Sequence, residues 1–375
     1  MNKIQKFVIG ILASFIIVLG TITSVVSYFT YKEYRKDIKS GITNATTEHN
    51  VISDWWNYIF GLTNRNKNVI IDKESNIYRL KNGGFSYAKK YVDTSVYKDY
   101  LVNFNSFLQT KNIKFQYVLT AESGDERLGQ LPDGIKTNYC EQTSNELMQM
   151  LEECGIDYFD CYEYLRNSNK DYYSFFYKTD HHWNDYAGLY LAQEISKDLN
   201  NKYNFELNES ILDLENYDVR RYENLFLGSI GKKITLGAAS PENFELLLPK
   251  FETSYHFYDD SFINNNGDYE TALIDHDCFI YSYYRANPYG SYLYADQPIL
   301  HVHNNNCSNG KRLLVFKDSK ANVVNIHLTS VFEYVDIIDP RHYYTNVFNY
   351  ISETNPDMVL FMYSPFNGKE FYDFK

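Results

Sequence analysis

The chain has 375 residues, 44% of them hydrophobic, enough to bury a core as one large domain or two modest ones. A formal net charge of −12 argues against a general nucleic-acid binder, and no basic stripe with interleaved aromatics stands out. Aromatic content reaches 17%, with 37 tyrosines; these suit sheet packing and, at some positions, flat apolar faces for stacking on sugar rings.

Lys3 and Lys6 precede an uncharged run from Phe7 to Phe29. That run is long enough to span a ~30 Å hydrocarbon core. It exceeds the apolar stretch of a signal peptide, and no A-x-A-like site follows it. It reads as an uncleaved transmembrane signal-anchor at 7–29, with a cytoplasmic N-terminus at 1–6, a polar stem at 30–64 and the main domain at 65–375. Lys32, Arg35, Lys36 and Lys39 follow the span and blunt the positive-inside signal. An extracytoplasmic domain at the cell membrane is therefore expected from the chemistry below rather than from charge. The cysteines are Cys140, Cys154, Cys161, Cys278 and Cys307, an odd number without a C-x-x-C pair, which disfavours structural zinc. Outside the cytoplasm Cys154 and Cys161 are the nearest pair for a disulfide; a reducing habitat leaves all as thiols.

Val69–Asp72 and Ile77–Leu80 flank a turn-rich Lys-Glu-Ser-Asn stretch and predict a hairpin. Helical spacing covers Tyr97–Leu108, and Phe115–Leu119 reads as a short buried strand. Glu141–Cys154 predicts a helix lined by Leu147, Met150 and Leu151, with Gly155 at its end. A strand is expected at Ile156–Phe159. Asn184 is an N-cap for a helix whose inner stripe is Ala187, Leu191, Ile195 and Leu199. Residues from about 203 to 308 break the rhythm, rich in Asn, Asp and Tyr, and read as an inserted loop-rich region beside the site. The C-terminal part alternates strand 313–316, helix 320–331, strand 334–338, helix 344–353 and strand 358–362. Successive β-α-β units predict an α/β fold with a doubly wound, mostly parallel sheet.

The chemistry concentrates in Thr179-Asp180-His181-His182-Trp183 and Lys317-Asp318-Ser319. A carboxylate two residues before an imidazole accepts its Nδ1–H, fixes the tautomer and leaves Nε2 free as a base. Ser319 follows a buried strand and opens a helix, where unpaired N–H groups and the dipole favour an oxyanion. Asp180, His182 and Ser319 thus suggest an acyl-transfer or ester-hydrolysis site. The competing reading makes Asp318 and Ser319 plain helix caps and the histidines loop residues. His181 points away from His182 if the segment is extended. Trp183 is a packing wedge or a substrate contact. Asn322, one turn beyond Ser319, and Arg341, after the next strand, are nominated as oxyanion or substrate groups. Asp and His are also metal ligands, but no close cluster supplies the rest of a coordination shell, although Asp275-His276-Asp277 and His301 with His303 form short runs.

The run Tyr177–Trp183 resembles the namesake motif of the bacterial DHHW proteins, which are similar to the SGNH-hydrolase-like domains of the alginate O-acetylation proteins. Phe226-Leu227-Gly228-Ser229, Leu313–Ser319 and Val335–Arg341 extend the resemblance over roughly residues 65–375. It implies an SGNH-hydrolase or flavodoxin-like fold with Asp180, His182 and Ser319 as triad, in an order permuted from ordinary SGNH enzymes. Lys317 stands where those enzymes have the Gly of Gly-Asp-Ser. The Asp-His-His-Cys palmitoyltransferases are spelled similarly, but Trp183 replaces their essential thiol. The expectation is a serine O-acetyltransferase or esterase without cofactor or metal. Its acceptor is a polysaccharide, its acyl supplier a membrane-bound O-acyltransferase. A catalytically silent polysaccharide-binding or assembly protein is the alternative, and a metal-dependent hydrolase a third.

Overall fold

The computed structural model describes residues 76–132, 138–234 and 238–367. The expected anchor and stem lie outside them; among the described residues no helix is long and apolar enough to cross a membrane. In chain order, the first half comprises β1 (Ile77–Arg79), β2 (Phe85–Tyr87), α1 (Lys98–Thr110), β3 (Lys114–Leu119), α2 (Cys140–Glu153), β4 (Asp157–Asp160), α3 (Cys161–Asn167) and α4 (Asp185–Tyr203). There follow β5 (Tyr217–Phe226), α5 (Ser229–Ile234), β6 (Glu242–Pro249), β7 (Tyr255–Tyr258), β8 (Asn264–Gly267), α6 (Tyr269–Leu273) and β9 (Ile299–Asn304). The chain closes with β10 (Arg312–Lys317), α7 (Asn322–Leu328), β11 (Tyr334–Ile338), α8 (Val347–Thr354) and β12 (Met358–Tyr363).

The main sheet has the order β4-β3-β12-β10-β11-β9-β7-β8. Its first five strands run parallel. β9, β7 and β8 are joined on antiparallel. The expected parallel sheet is therefore present but mixed. β10 and β12 are buried from Leu313 to Lys317 and from Met358 to Tyr363, as strands covered on both faces must be. Phe115 meets Phe104 of α1, while the next residue, Gln116, reaches Asp198 of α4, so helices cover opposite faces.

Strand order reverses at β10. The chain crosses by α7 to β11 on one side and returns by α8 to β12 on the other. In open α/β sheets the crevice beyond the carboxyl ends at such a reversal is where ligands bind.

Two expectations change. β1 pairs with β2, and residues 69–72, the other half of the expected hairpin, lie outside the described residues. The helix expected from 320 is a 3-10 turn, Ser319–Ala321, running into the shorter α7. The region read as loop-rich supplies β7–β9 to the main sheet and a separate β5–β6 ribbon.

Candidate active site

The Thr179–Trp183 segment is a tight loop, not an extended strand. Phe176 and Trp183 pair across its base, and the Tyr177 N–H donates to the His182 carbonyl. Trp183 is fully buried and donates Nε1–H to the Ala121 carbonyl at 3.1 Å, so it is a wedge that seats the loop. Asn184 then caps α4, its side chain accepting from the Ala187 N–H.

α4 meets α7 backbone to backbone at Gly188, where a Cβ would lie 2.3 Å from the Val323 carbonyl oxygen. Asp185 clamps the same helix pair. It holds His327 Nε2 at 2.6 Å and accepts the Leu247 N–H at 2.7 Å. This close docking brings the loop before α4 beside the turn before α7.

The result is a continuous chain of hydrogen bonds. His182 Nδ1 lies 2.5 Å from Asp180 Oδ1, and His182 Nε2 lies 2.8 Å from Ser319 Oγ. Asp180 is buried, whereas Ser319 and His182 keep partial access to solvent. Asp180 Oδ1 also accepts the His182 N–H, and Oδ2 accepts the Ser229 N–H at 2.5 Å. Burial alone would raise the Asp180 carboxyl, yet His182, His181 and the Ser229 N–H hold it well below the usual range. Gly228 permits this approach, because a Cβ there would sit 2.3 Å from Asp180 Cβ.

His181 does not point away. Its ring lies 3.8 Å from that of His182, centroid to centroid, and its Nδ1 contacts Ser229 Oγ at 3.0 Å. Burial, reinforced by charge on His182, pushes the His181 imidazole down to about 3. At neutral pH His181 is uncharged.

Asp318 caps the Ser319 turn. It accepts the Lys320 N–H at 2.9 Å, and its other oxygen takes the Ser364 N–H at 2.9 Å and Asn367 Nδ2 at 2.7 Å. The Ser319 N–H has no acceptor among the described residues, so it is free to donate. Lys320 is buried against Glu122, which also holds Lys89 at 2.9 Å. Burial opposes charge on Glu122, but the two ammoniums win and hold it at about 2. Lys317 is fully buried and bridges Asp296 and Asp339. Asn322 donates to Asp296 at 3.2 Å, and Arg341 pairs with Asp339 and Asp296. The nominated donors of Asn322 and Arg341 are thus engaged by carboxylates.

Sequence reasoning missed Tyr289, Asp296, Glu122 and the contact between Ser229 and Asp180. Tyr289 stacks on His182 with centroids 3.9 Å apart and rings 18° from parallel. Asp180, His181 and His182 place three potential metal-ligand atoms within 4.8 Å of one another. An ion binding both Asp180 and His182 Nδ1 would have to break their 2.5 Å contact. The donor set therefore suits a proton relay better than a metal centre. The short Asp275–Asp277 and His301/His303 runs lie elsewhere. Asp275 caps its own turn, and His301 pairs with Asp336.

Residues 89–224 match the family model of the SGNH hydrolase-like domain, acetyltransferase AlgX. The matched stretch contains Asp180 and His182; Ser319 lies beyond it. Bacillus cereus PatB1, in a structure with a sulfonyl adduct, matches with a TM-score of 0.65 at 22% identity, over 80% of this chain and 97% of that one. A DHHW family protein from Eubacterium siraeum matches with a TM-score of 0.63 at 18% identity, over 79% and 93%. No curated protein sequence matches the chain. The resemblance read from the Thr-Asp-His-His-Trp motif is borne out as a similarity: residues 89–224 are similar to the SGNH hydrolase-like domain of an acetyltransferase, and the fold is shared with PatB1 and a DHHW protein.

Proposed function

We propose that the protein is a membrane-anchored, extracytoplasmic serine O-acyltransferase or esterase that moves an acetyl group on a cell-surface or secreted polysaccharide. The observation that carries this reading is the hydrogen-bonded order Asp180–His182–Ser319 at a half-buried position. The match to an acetyltransferase family model supports acetyl as the group.

In this reading His182 Nε2 takes the Ser319 proton as Oγ attacks the acyl carbonyl. The Ser319 N–H stabilises the oxyanion, and the helix end adds to it. The positive charge falls on His182, next to ionised Asp180 and a neutral His181. His182 then protonates the departing donor oxygen, leaving an acyl-Ser319. A sugar hydroxyl, deprotonated by His182, attacks that ester in a transferase; water does so in an esterase. Ser319 regains its proton from His182 when the product leaves. A membrane-bound O-acyltransferase is the natural acyl supplier, and the N-terminal apolar run the natural anchor.

The test is to mix the purified protein with an activated acetyl ester and follow hydrolysis together with intact mass. An adduct of about 42 Da, one acetyl group, is expected on wild type and absent from Ser319→Ala and His182→Ala. A folded wild type with neither adduct nor turnover would sink the reading in favour of the silent polysaccharide-binding alternative, which Ser319→Ala would leave intact.

A further inference from the structure

Residues 286–296 form a buckle over the site. Tyr289, buried, lays its ring on one face of His182; His181 lies against the same imidazole. The Tyr289 hydroxyl donates to the Ser319 carbonyl at 2.9 Å, shared with the Lys320 carbonyl at 3.0 Å. At the far end Asp296 grips Lys317 and Asn322, on either side of the same turn. At the near end Lys232 of α5, the helix that starts at Ser229, donates to the Ala286 carbonyl at 2.9 Å. One segment therefore touches the base and the nucleophile's turn, and is tied to the helix whose first residue holds Asp180.

The backbone between these grips is unfavourable. Leu293, Tyr294 and Ala295 have φ of 52°, 57° and 67°, three consecutive left-handed residues without a glycine. L-residues avoid that region, and such strain persists only where the surroundings over-determine it.

We propose that Tyr289 is a positioning residue for this site: its ring face supports the imidazolium that His182 becomes, and its hydroxyl fixes the turn that carries Ser319. The proposal rests on the acyl-transfer reading above. An aromatic face attracts a cation through its quadrupole, most strongly when both are desolvated. Burial keeps the Tyr289 phenol well above its ordinary range, so the hydroxyl remains a donor. The other charged and titratable groups around the two imidazoles and Tyr289 include Asp180 in the imidazoles' own loop, Tyr87 of β2 against His181, Lys320 and Asp318 on the Ser319 turn, Glu122 after β3, Asp296 on the buckle and Lys232 of α5 near Asp180. Substitutions at Tyr289 leave all of these in place.

The experiment compares wild type, Tyr289→Phe and Tyr289→Leu by acylation rate against pH and by NMR titration of the His182 ring. Tyr289→Phe keeps the ring and loses the hydroxyl. A rate drop of about 2- to 10-fold with an unmoved pH midpoint is expected. Tyr289→Leu removes the face. It should slow acylation at least about 10-fold and move the midpoint, in rate and in NMR, to lower pH by about half a unit or more. A folded Tyr289→Leu with wild-type rate and midpoint overturns the proposal. If Tyr289→Leu does not fold, an unchanged rate in Tyr289→Phe overturns the hydroxyl's role by itself. Should wild type show no acylation, the acyl-transfer reading fails. The NMR midpoints still decide whether the Tyr289 ring stabilises the His182 imidazolium.

Discussion

The parallel strands β4-β3-β12-β10-β11 and the elaboration between α4 and β10 differ in most physical respects. The central strands β10 and β12 are buried on both faces and read as apolar runs, and the topology of the parallel set puts the end of β10 at the strand-order reversal. The elaboration is antiparallel and half polar. It supplies no reacting atom. It does supply the Ser229 N–H on Asp180, the Tyr289 ring on His182 and the Asp296 carboxylate on Lys317. A regular scaffold locates Ser319, and an irregular segment holds the groups hydrogen-bonded and stacked around it.

Removing a reacting group should give the largest effect: Ser319→Ala or His182→Ala is expected to lower acylation by about 10⁴–10⁶-fold while the melting temperature stays near wild type. Turnover within tenfold of wild type would move the chemistry elsewhere. The elaboration's share is tested at Gly228→Ala, where the new methyl displaces Asp180. A loss of about 10²–10⁴-fold is expected, approaching that of losing the orienting carboxylate itself. Equal activity in Gly228→Ala would mean that Asp180 is held by its own loop alone.

Gly188→Ala probes the scaffold instead. Its Cβ would strike the Val323 carbonyl, and overpacking there should cost about 1–3 kcal/mol in denaturant unfolding. Glu122 gives the smallest signal, and one confined to acid. Its carboxyl is held at about 2 against an ordinary 4.5. Above 4.5 that stabilisation is fully present, and it is lost as pH falls through the window toward 2, because the unfolded chain takes up the proton first. Melting curves of Glu122→Gln should therefore be flatter with pH between those limits than wild type. A parallel pH dependence would remove Glu122 from the acid response.

The parallel half was legible because continuous apolar runs separated by helical spacing have few other solutions. Leu313–Phe316, Tyr334–Ile338 and Met358–Tyr363 all became strands. The meeting of Asp180, His182 and Ser319 was legible because an Asp-x-His loop before one helix and a Ser after a buried strand were both expected at the same sheet end. β8 was not, since Asn264-Asn265-Asn266-Gly267 reads as a turn until a neighbouring strand pairs with it. Tyr289 was one among 37 tyrosines with no pattern to mark it. The orientation of His181 was not legible because two-residue alternation holds only in extended chain, and this segment is bent. Lys317, a charge at the end of an apolar strand, was a hint that buried acids such as Asp296 and Asp339 would be found around it.

The place of β12 also governs how the sheet assembles. The last strand among the described residues is seated between β3 and β10, pairing with both. Until it arrives, β3 and β4 stand apart from β10 and β11, each pair with an open edge. His182 and Ser319 are separated by 137 positions, and the slot that joins their halves is filled by Met358–Tyr363. Non-local pairing of this kind is slow to form. Deleting Met358–Tyr363 is therefore expected to leave two sheet fragments that cannot bring His182 to Ser319, rather than a weakened site.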